Sequence, residues 1–206
     1  MDSGWSVKSI HREILLSNTY ALSTANDIRN AEVDPENKLL WRAHLQPRLD
    51  IEALRDSLLA VSGKLDLQVG GAPSPLEKGS NRRSIYLTVS RTRLDPTMAL
   101  FDFPDANATS DNRPVTIGPL QGLFFLNSTF VADQAKALTD RLNKEVGADN
   151  KTRIEHAYRL LYSRPPDAKE LQLGIDYLNE GSADTSKAWQ RYLQTLFGSG
   201  EFTSVN

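Results

Sequence analysis

From Asp50 onward, apolar side chains return every three or four residues in one run after another, and only one segment alternates strictly. That contrast constrains the fold more than any other feature. A spacing of three and four places apolar groups on one face of a helix, whereas alternation places them on one face of a strand. Leu54, Leu58 and Val61 share a face, broadened by Ile51 and Ala53. Val131, Ala135, Leu138 and Leu142 share another. Ile154, Ala157, Tyr158 and Leu161 form a third, and Trp189, Tyr192, Leu193 and Leu196 a fourth. The alternating run is Arg83-Ser-Ile-Tyr-Leu-Thr-Val-Ser-Arg91, with Ile85, Leu87 and Val89 on one side. The expected fold class is therefore mainly α, a helical domain with one small antiparallel β-hairpin. Residues 83–91 would form its clear strand and residues 65–69 its partner. Two strands alone are marginal, so helices would have to cover them.

Punctuation residues set the expected boundaries. A first helix over 7–18 follows a possible Ser6 cap, and a polar stretch over 23–37 leads into a helix over 38–45 containing Leu39, Leu40 and Trp41. That helix stops before Pro47, because proline restricts the residue ahead of it. Asp50 caps the next helix and Gly63 ends it in a left-handed turn. Asp95-Pro96 reads as a cap followed by proline at the first helical position. Helices are expected from Pro119 through the Leu123-Phe-Phe-Leu126 patch, over 129–146, over 151–162, from Ala168 and over 187–197. Asp167 and Glu170 have the spacing of a capping box. The helix from Ala168 should bury Leu171, Leu173, Ile175 and Leu178.

Composition excludes several chemistries. The chain's 206 residues fit one domain, with 24 basic against 26 acidic side chains and a formal charge of -2. That balance lacks the basic excess with which proteins meet nucleic-acid phosphates. Cysteine is absent, so thiolate metal ligands, iron–sulfur clusters, covalent haem attachment and a cysteine nucleophile are excluded. No apolar run approaches the ~20 residues of a spanning helix. Trp5, Val7, Ile10, Ile14 and Leu15 form an apolar stripe that needs a partner surface, an upstream domain or another protein. The chain therefore reads as the C-terminal part of something larger.

Two segments offer candidate site residues. Phe101-Asp-Phe-Pro-Asp-Ala-Asn107 presents Asp102, Asp105 and Asn107 as oxygen donors in a chain bent by Pro104. Hard cations such as calcium want such donors, though usually more of them and at other spacings. In the simpler reading, Phe101 and Phe103 anchor a turn while the polar side chains satisfy nearby backbone donors. A partner-binding turn is the third reading. Arg82, Arg83, Arg91 and Arg93, with Lys78, form a basic stretch without an acidic residue. These arginines could pair with Asp102 or Asp105, or bind an anionic ligand such as a charged saccharide. His11, His44 and His156 stand far apart without a metal-ligand pattern, and no phosphate loop, dinucleotide fingerprint or nucleophile elbow is present. No cofactor and no metal site is expected.

Several stretches together resemble one known family. They include Gly4-Trp-Ser-Val-Lys-Ser-Ile-His-Arg12, Asp34-Pro-Glu-Asn-Lys-Leu-Leu-Trp-Arg42, Arg82-Arg-Ser-Ile-Tyr-Leu87 and Gln121-Gly-Leu-Phe-Phe-Leu-Asn-Ser128. Arg153-Ile-Glu-His-Ala-Tyr-Arg-Leu-Leu-Tyr-Ser-Arg-Pro-Pro166 and Leu196-Phe-Gly-Ser-Gly-Glu-Phe202 continue the likeness. The resemblance is to DUF1553, the PSD1 C-terminal domain, found in large exported proteins of Planctomycetes and related bacteria. It implies an extracytoplasmic setting and a preceding partner domain, and it assigns no functional residues. Two functions follow as expectations. The first is a non-catalytic structural or interaction domain of a larger exported protein. The alternative is a polysaccharide-directed hydrolase, or a domain binding calcium or an anionic saccharide through the 101–107 turn and its neighbouring arginines. Glycoside hydrolysis would need two carboxyl groups roughly 5–9.5 Å apart, and Asp102 with Asp105 is the pair nominated.

Overall fold

Local signals start and stop most of the helices where the physics of caps places them. The computed structural model describes residues 4–23, 27–38, 47–76, 79–180 and 185–205. The chain divides into two units, residues 1–47 with 205–206, and residues 48–204. The expected helix over 38–45, with His44, lies outside the described residues apart from Lys38, as does Lys78.

In the first unit, α1 spans Val7–Leu15, and the Ser6 side chain accepts from the Ser9 N–H at 3.4 Å. A short helix, α2 (Ile28–Val33), sits inside the stretch read as a polar connection. Its N-cap, Asp27, accepts from the Asn30 N–H at 3.0 Å. The helix has too few residues to show apolar periodicity, so only its cap was readable in advance.

The second unit is an assembly of helices. They are α3 (Ile51–Val61), α4 (Pro96–Leu100), α5 (Pro119–Asn127), α6 (Thr129–Val146), α7 (Asn150–Tyr162), α8 (Ala168–Glu180), α9 (Thr185–Phe197) and α10 (Gly200–Thr203). Asp95 accepts from the N–H groups of Thr97 and Met98, with Pro96 at the first helical position of α4. Gly63 closes α3 with φ +73°. Before α8, the Asp167 carboxylate accepts from the Glu170 N–H at 2.8 Å, and the Glu170 carboxylate accepts from the Asp167 N–H at 2.7 Å. The capping box is complete.

α6 lies at the centre, against α3, α5, α7 and, most extensively, α9. Its expected stripe of Val131, Ala135, Leu138 and Leu142 is fully buried, as are Trp189, Leu193 and Phe197 of α9. On α8 the reading is corrected in part. Leu178 is buried and Leu171 and Ile175 are half-buried, but Leu173 is 70% exposed. Gly174 is the reason. A Cβ there would stand 2.6 Å from the Tyr192 hydroxyl and 3.0 Å from Ile154 Cδ1. The helix approaches its neighbours through that glycine, which turns Leu173 outward.

The β-hairpin does not form, and no strand occurs among the described residues. Residues 84–86 make a short 3-10 turn (Ser84–Tyr86). Ile85 is 74% exposed and Val89 49%, and of the alternating side chains only Leu87 packs against the core, half-buried. Only isolated bridges remain, Asp66 with Arg82 and Ser74 with Leu87, both parallel. Side chains have replaced the missing ladder. Asp56 of α3 accepts from the Ser84 N–H at 2.8 Å and from the Ser84 hydroxyl at 2.7 Å. Arg55 donates to the carbonyls of Ser80 and Arg82 and to Ser84 Oγ. A segment whose backbone groups are satisfied from a helix has no need of a partner strand.

A second polar hub ties the turn after α7 to the C-terminal end. The Arg164 guanidinium makes 2.7–2.8 Å hydrogen bonds to both oxygens of Glu170, and 2.7 Å bonds to both oxygens of Glu201. Such forked pairs are the strong form of charge-assisted hydrogen bond. Arg164 holds the Glu170 carboxyl below the ordinary carboxylate range.

Two outcomes are expected. Because the folded pKa of Glu170 is depressed, its contribution is present above the unfolded value of about 4.3 and is lost as pH falls through the lower folded value. Glu170→Gln should flatten that acid limb of stability, followed by denaturant midpoint against pH; an unchanged limb would refute the assignment. Gly174→Ala should destabilise by about 1 kcal/mol, since overpacking of about 1–3 kcal/mol outweighs a helix-propensity gain of about 1. The cost should shrink in a Tyr192→Phe background, where the nearest clashing atom is gone.

Candidate functional site

Asp102 follows directly from the end of α4 and adopts φ +60°, a left-handed backbone that aspartate tolerates better than most residues. Its carboxylate accepts from the Thr116 N–H at 2.7 Å and from the Thr116 hydroxyl at 2.8 and 2.9 Å. The neighbouring Phe101 is buried, edge-on to Phe124 and Phe125 with ring centroids at 5.2 and 6.2 Å. The turn is thus pinned from below by one aromatic ring and from the side by one carboxylate. Phe103 was expected to be buried and is half-buried, with the Arg113 guanidinium 5.3 Å from its ring centre. Arg113 in turn pairs with Asp50 and Glu52 at the start of α3, at 2.7 and 2.8 Å.

Asp105 serves a different partner. It accepts from the Asn107 N–H at 2.9 Å and from Asn107 Nδ2 at 3.1 Å, while Nδ2 also donates to the Arg91 carbonyl at 2.8 Å. Asp102 is therefore bonded toward residue 116, and Asp105 and Asn107 toward residue 91. The three donors proposed for a cation are individually engaged, and among the described residues no group of three or more His, Asp or Glu is placed to hold a metal ion.

Arg82 and Arg83 turn to different partners. Arg82 folds back on its own loop, donating to the carbonyls of Ala72 at 2.8 Å, Gln68 at 3.3 Å and Gly70, and it stacks 4.2 Å above the Tyr86 ring. Arg83 reaches Asp56 at 3.9 Å. Arg93 donates its N–H to Ser90 Oγ. Among the described residues, none of the four arginines pairs with Asp102 or Asp105. His156 meets Glu145 at 2.7 Å, and with Arg141 it holds that carboxyl below its ordinary range.

The larger concavity lies elsewhere, between α3, α4 and the junction of α5 with α6, with a volume of about 350 Å³. Ile51, Leu54, Leu58, Met98 and Phe124 line it, Asp133 of α6 adds an exposed carboxylate, and two further charged residues stand in its wall, Arg55 and Asp95. Both are committed, Arg55 to the 80–84 segment and Asp95 to the N-terminus of α4. Sequence reasoning passed over Arg55. The available signal was its position on the apolar face of α3, beside Leu54 and Leu58, where a charged residue must find partners.

The geometry is that of braces between chain segments. It predicts that calcium leaves the thermal midpoint of the parent chain unmoved. Asp102→Ala should lower stability by roughly 1–2 kcal/mol through two lost hydrogen bonds and a strained left-handed alanine. Asp102→Asn should cost less. A calcium-induced rise in midpoint that Asp102→Ala abolishes would overturn the brace and restore the cation site.

A family model described as PSD1, protein of unknown function (DUF1553), matches residues 1–178. No curated protein matches the chain, and no solved structure does.

Proposed function

The chain belongs to the PSD1 family (DUF1553), and on that footing we propose that it is an interaction domain of a larger exported bacterial protein. In this reading its partner is an adjoining upstream domain, met through α1, and its setting is extracytoplasmic. The observation that carries the reading is the state of α1. The helix is capped and formed, its apolar residues fall on one stripe, and none is buried. Val7, Ile10, Ile14 and Leu15 are 51–63% exposed, and Trp5 just ahead of them is 77% exposed. A stripe that regular on a surface helix ordinarily faces a core. Contiguous exposed apolar residues rimmed by polar ones mark a contact surface. The family resemblance supports the exported setting. The engagement of Asp102, Asp105 and Asn107 in local hydrogen bonds favours scaffolding over catalysis at the 101–107 turn. No helix among the described residues is long and apolar enough to cross a membrane.

The test compares the 206-residue chain with a version extended at its N-terminus by the preceding domain. Covering four half-exposed aliphatic side chains should contribute on the order of 2–4 kcal/mol, which shifts the melting midpoint by several degrees in a chain of this size. Ile10→Asp with Ile14→Asp should abolish the gain in the extended protein while leaving the midpoint of the short chain unchanged. Equal midpoints with and without the extension would refute the docking role of α1.

A further inference from the structure

A second exposed apolar surface lies within residues 48–204. It begins in the non-helical segment before α5. Thr116 turns both its N–H and its C=O to one side, where Asp102 accepts the first and Arg48 donates to the second at 3.2 Å. Residues 113–118 run without helix, turn or bend, and Gly118 at their end is extended, with φ -128° and ψ 155°. Alternate residues of an extended chain direct their backbone groups to opposite edges, which turns those of Val115 and Ile117 away from Asp102 and Arg48. Neither residue makes a backbone hydrogen bond among the described residues. Their side chains are 63% and 87% exposed. Arg48 and Asp102 thus act as a substitute neighbour on the inner edge and leave the outer edge open.

α5 continues this surface. Its inner side holds Phe125 and Gln121 buried and Phe124 half-buried, yet Leu120, Leu123 and Leu126 on its outer side are 66%, 48% and 61% exposed. A helix that is apolar all round belongs in an interior or an interface. No charged residue occurs from Pro114 through Ala132.

We propose that this face is where two copies of the chain associate about a twofold axis, with residues 115–117 pairing antiparallel across it. The arrangement is self-complementary. With Thr116 on the axis, the Val115 N–H of each copy meets the Ile117 carbonyl of the other, and the reciprocal pair closes the remaining groups. Absence of charge removes the like-charge repulsion that ordinarily opposes bringing one surface against itself. A lipid surface fits less well, because it would leave four backbone groups without partners. The five aliphatic side chains are few beside the roughly 20–30 residues a side of a standard interface, so the association is weak and concentration-dependent.

Analytical ultracentrifugation of the 206-residue chain from about 1 μM to about 1 mM, a span that brackets weak dimers, should show a monomer–dimer equilibrium. Ile117→Asp and Leu123→Asp, both at exposed positions, should each raise the dimer dissociation constant at least about tenfold, a change of about 1.4 kcal/mol. Leu173→Asp, at an equally exposed leucine on α8, should leave it unchanged. Amide exchange at Val115 and Ile117 should slow as parent concentration rises, and not in Leu123→Asp. Should Ile117→Asp fail to fold by circular dichroism, Leu123→Asp with the exchange measurement decides alone. A parent that stays monomeric throughout, or a dimer indifferent to both aspartates, overturns the proposal. So does a dimer whose Val115 and Ile117 amides still exchange freely.

Discussion

A buried guanidinium organises the non-helical part of the larger unit. Arg55 is 4% exposed, on the inward face of α3, and burial pulls its pKa down while the adjacent Asp56 counters that. Removing an arginine from water costs several kcal/mol unless its donors are matched. The carbonyls of Ser80 and Arg82 and the Ser84 hydroxyl match its terminal nitrogens, Nε is left without a partner among the described residues, and the Phe130 ring lies 5.8 Å from the guanidinium carbon. The dependence runs both ways. Without residues 80–84 in place Arg55 would keep only Asp56, at 3.5 Å, as a partner, and without Arg55 those carbonyls would be unpaired. That mutual need fixes a segment that has neither helix nor sheet to hold it.

The same device recurs across the unit. Arg48 serves the Thr116 carbonyl and Gln121, Arg82 serves its own loop, and Arg141 donates to the carbonyls of Ala60 and Val61 at the end of α3. Arg164 joins Glu170 to Glu201. Arginine suits this work because its planar fork offers several fixed donors and its face stacks on aromatic rings. Arg153 is the exception, buried at 5% exposure with its guanidinium carbon 4.0 Å from the Trp189 ring centre. Its guanidinium stacks on that ring, and burial lowers its pKa.

What could be read from the sequence follows the range of the forces involved. Caps, prolines and glycines act within a few residues, and so Asp95-Pro96, Gly63 and the Asp167–Glu170 box were legible. Apolar periodicity is also local, and it identified the buried faces of α3, α6, α7 and α9, save that Ala53, read as part of the α3 face, is exposed. The hairpin failed because alternation in 83–91 reports only where side chains point. It does not report what pairs the backbone. The pairing groups came from Asp56 and Arg55, some thirty residues upstream, which no local pattern could reveal. Leu173 was misread for a related reason, since a glycine one residue later determines which side of α8 can approach Tyr192. At the candidate site, Phe101 and the role of Asp102 as a backbone acceptor were legible, while its acceptance from Thr116 and the different partners of Arg82 and Arg83 were not.

The distribution of polar work bears on function. A catalytic or cation-binding centre needs side chains whose polar atoms converge on a shared space and are held there by others. In the 101–107 turn and at Arg82 and Arg83 the polar atoms diverge, Asp102 toward Thr116, Asp105 toward Asn107, Arg82 toward its own loop and Arg83 toward Asp56. In the 350 Å³ concavity, Arg55 and Asp95 are already engaged with the protein's own groups. The exposed surface has the opposite character, since α1 and α5 present formed, regular apolar faces to solvent. Burying such faces contributes roughly 25 cal/mol for each Å² removed from water, without any polar group having to be released from its present partner.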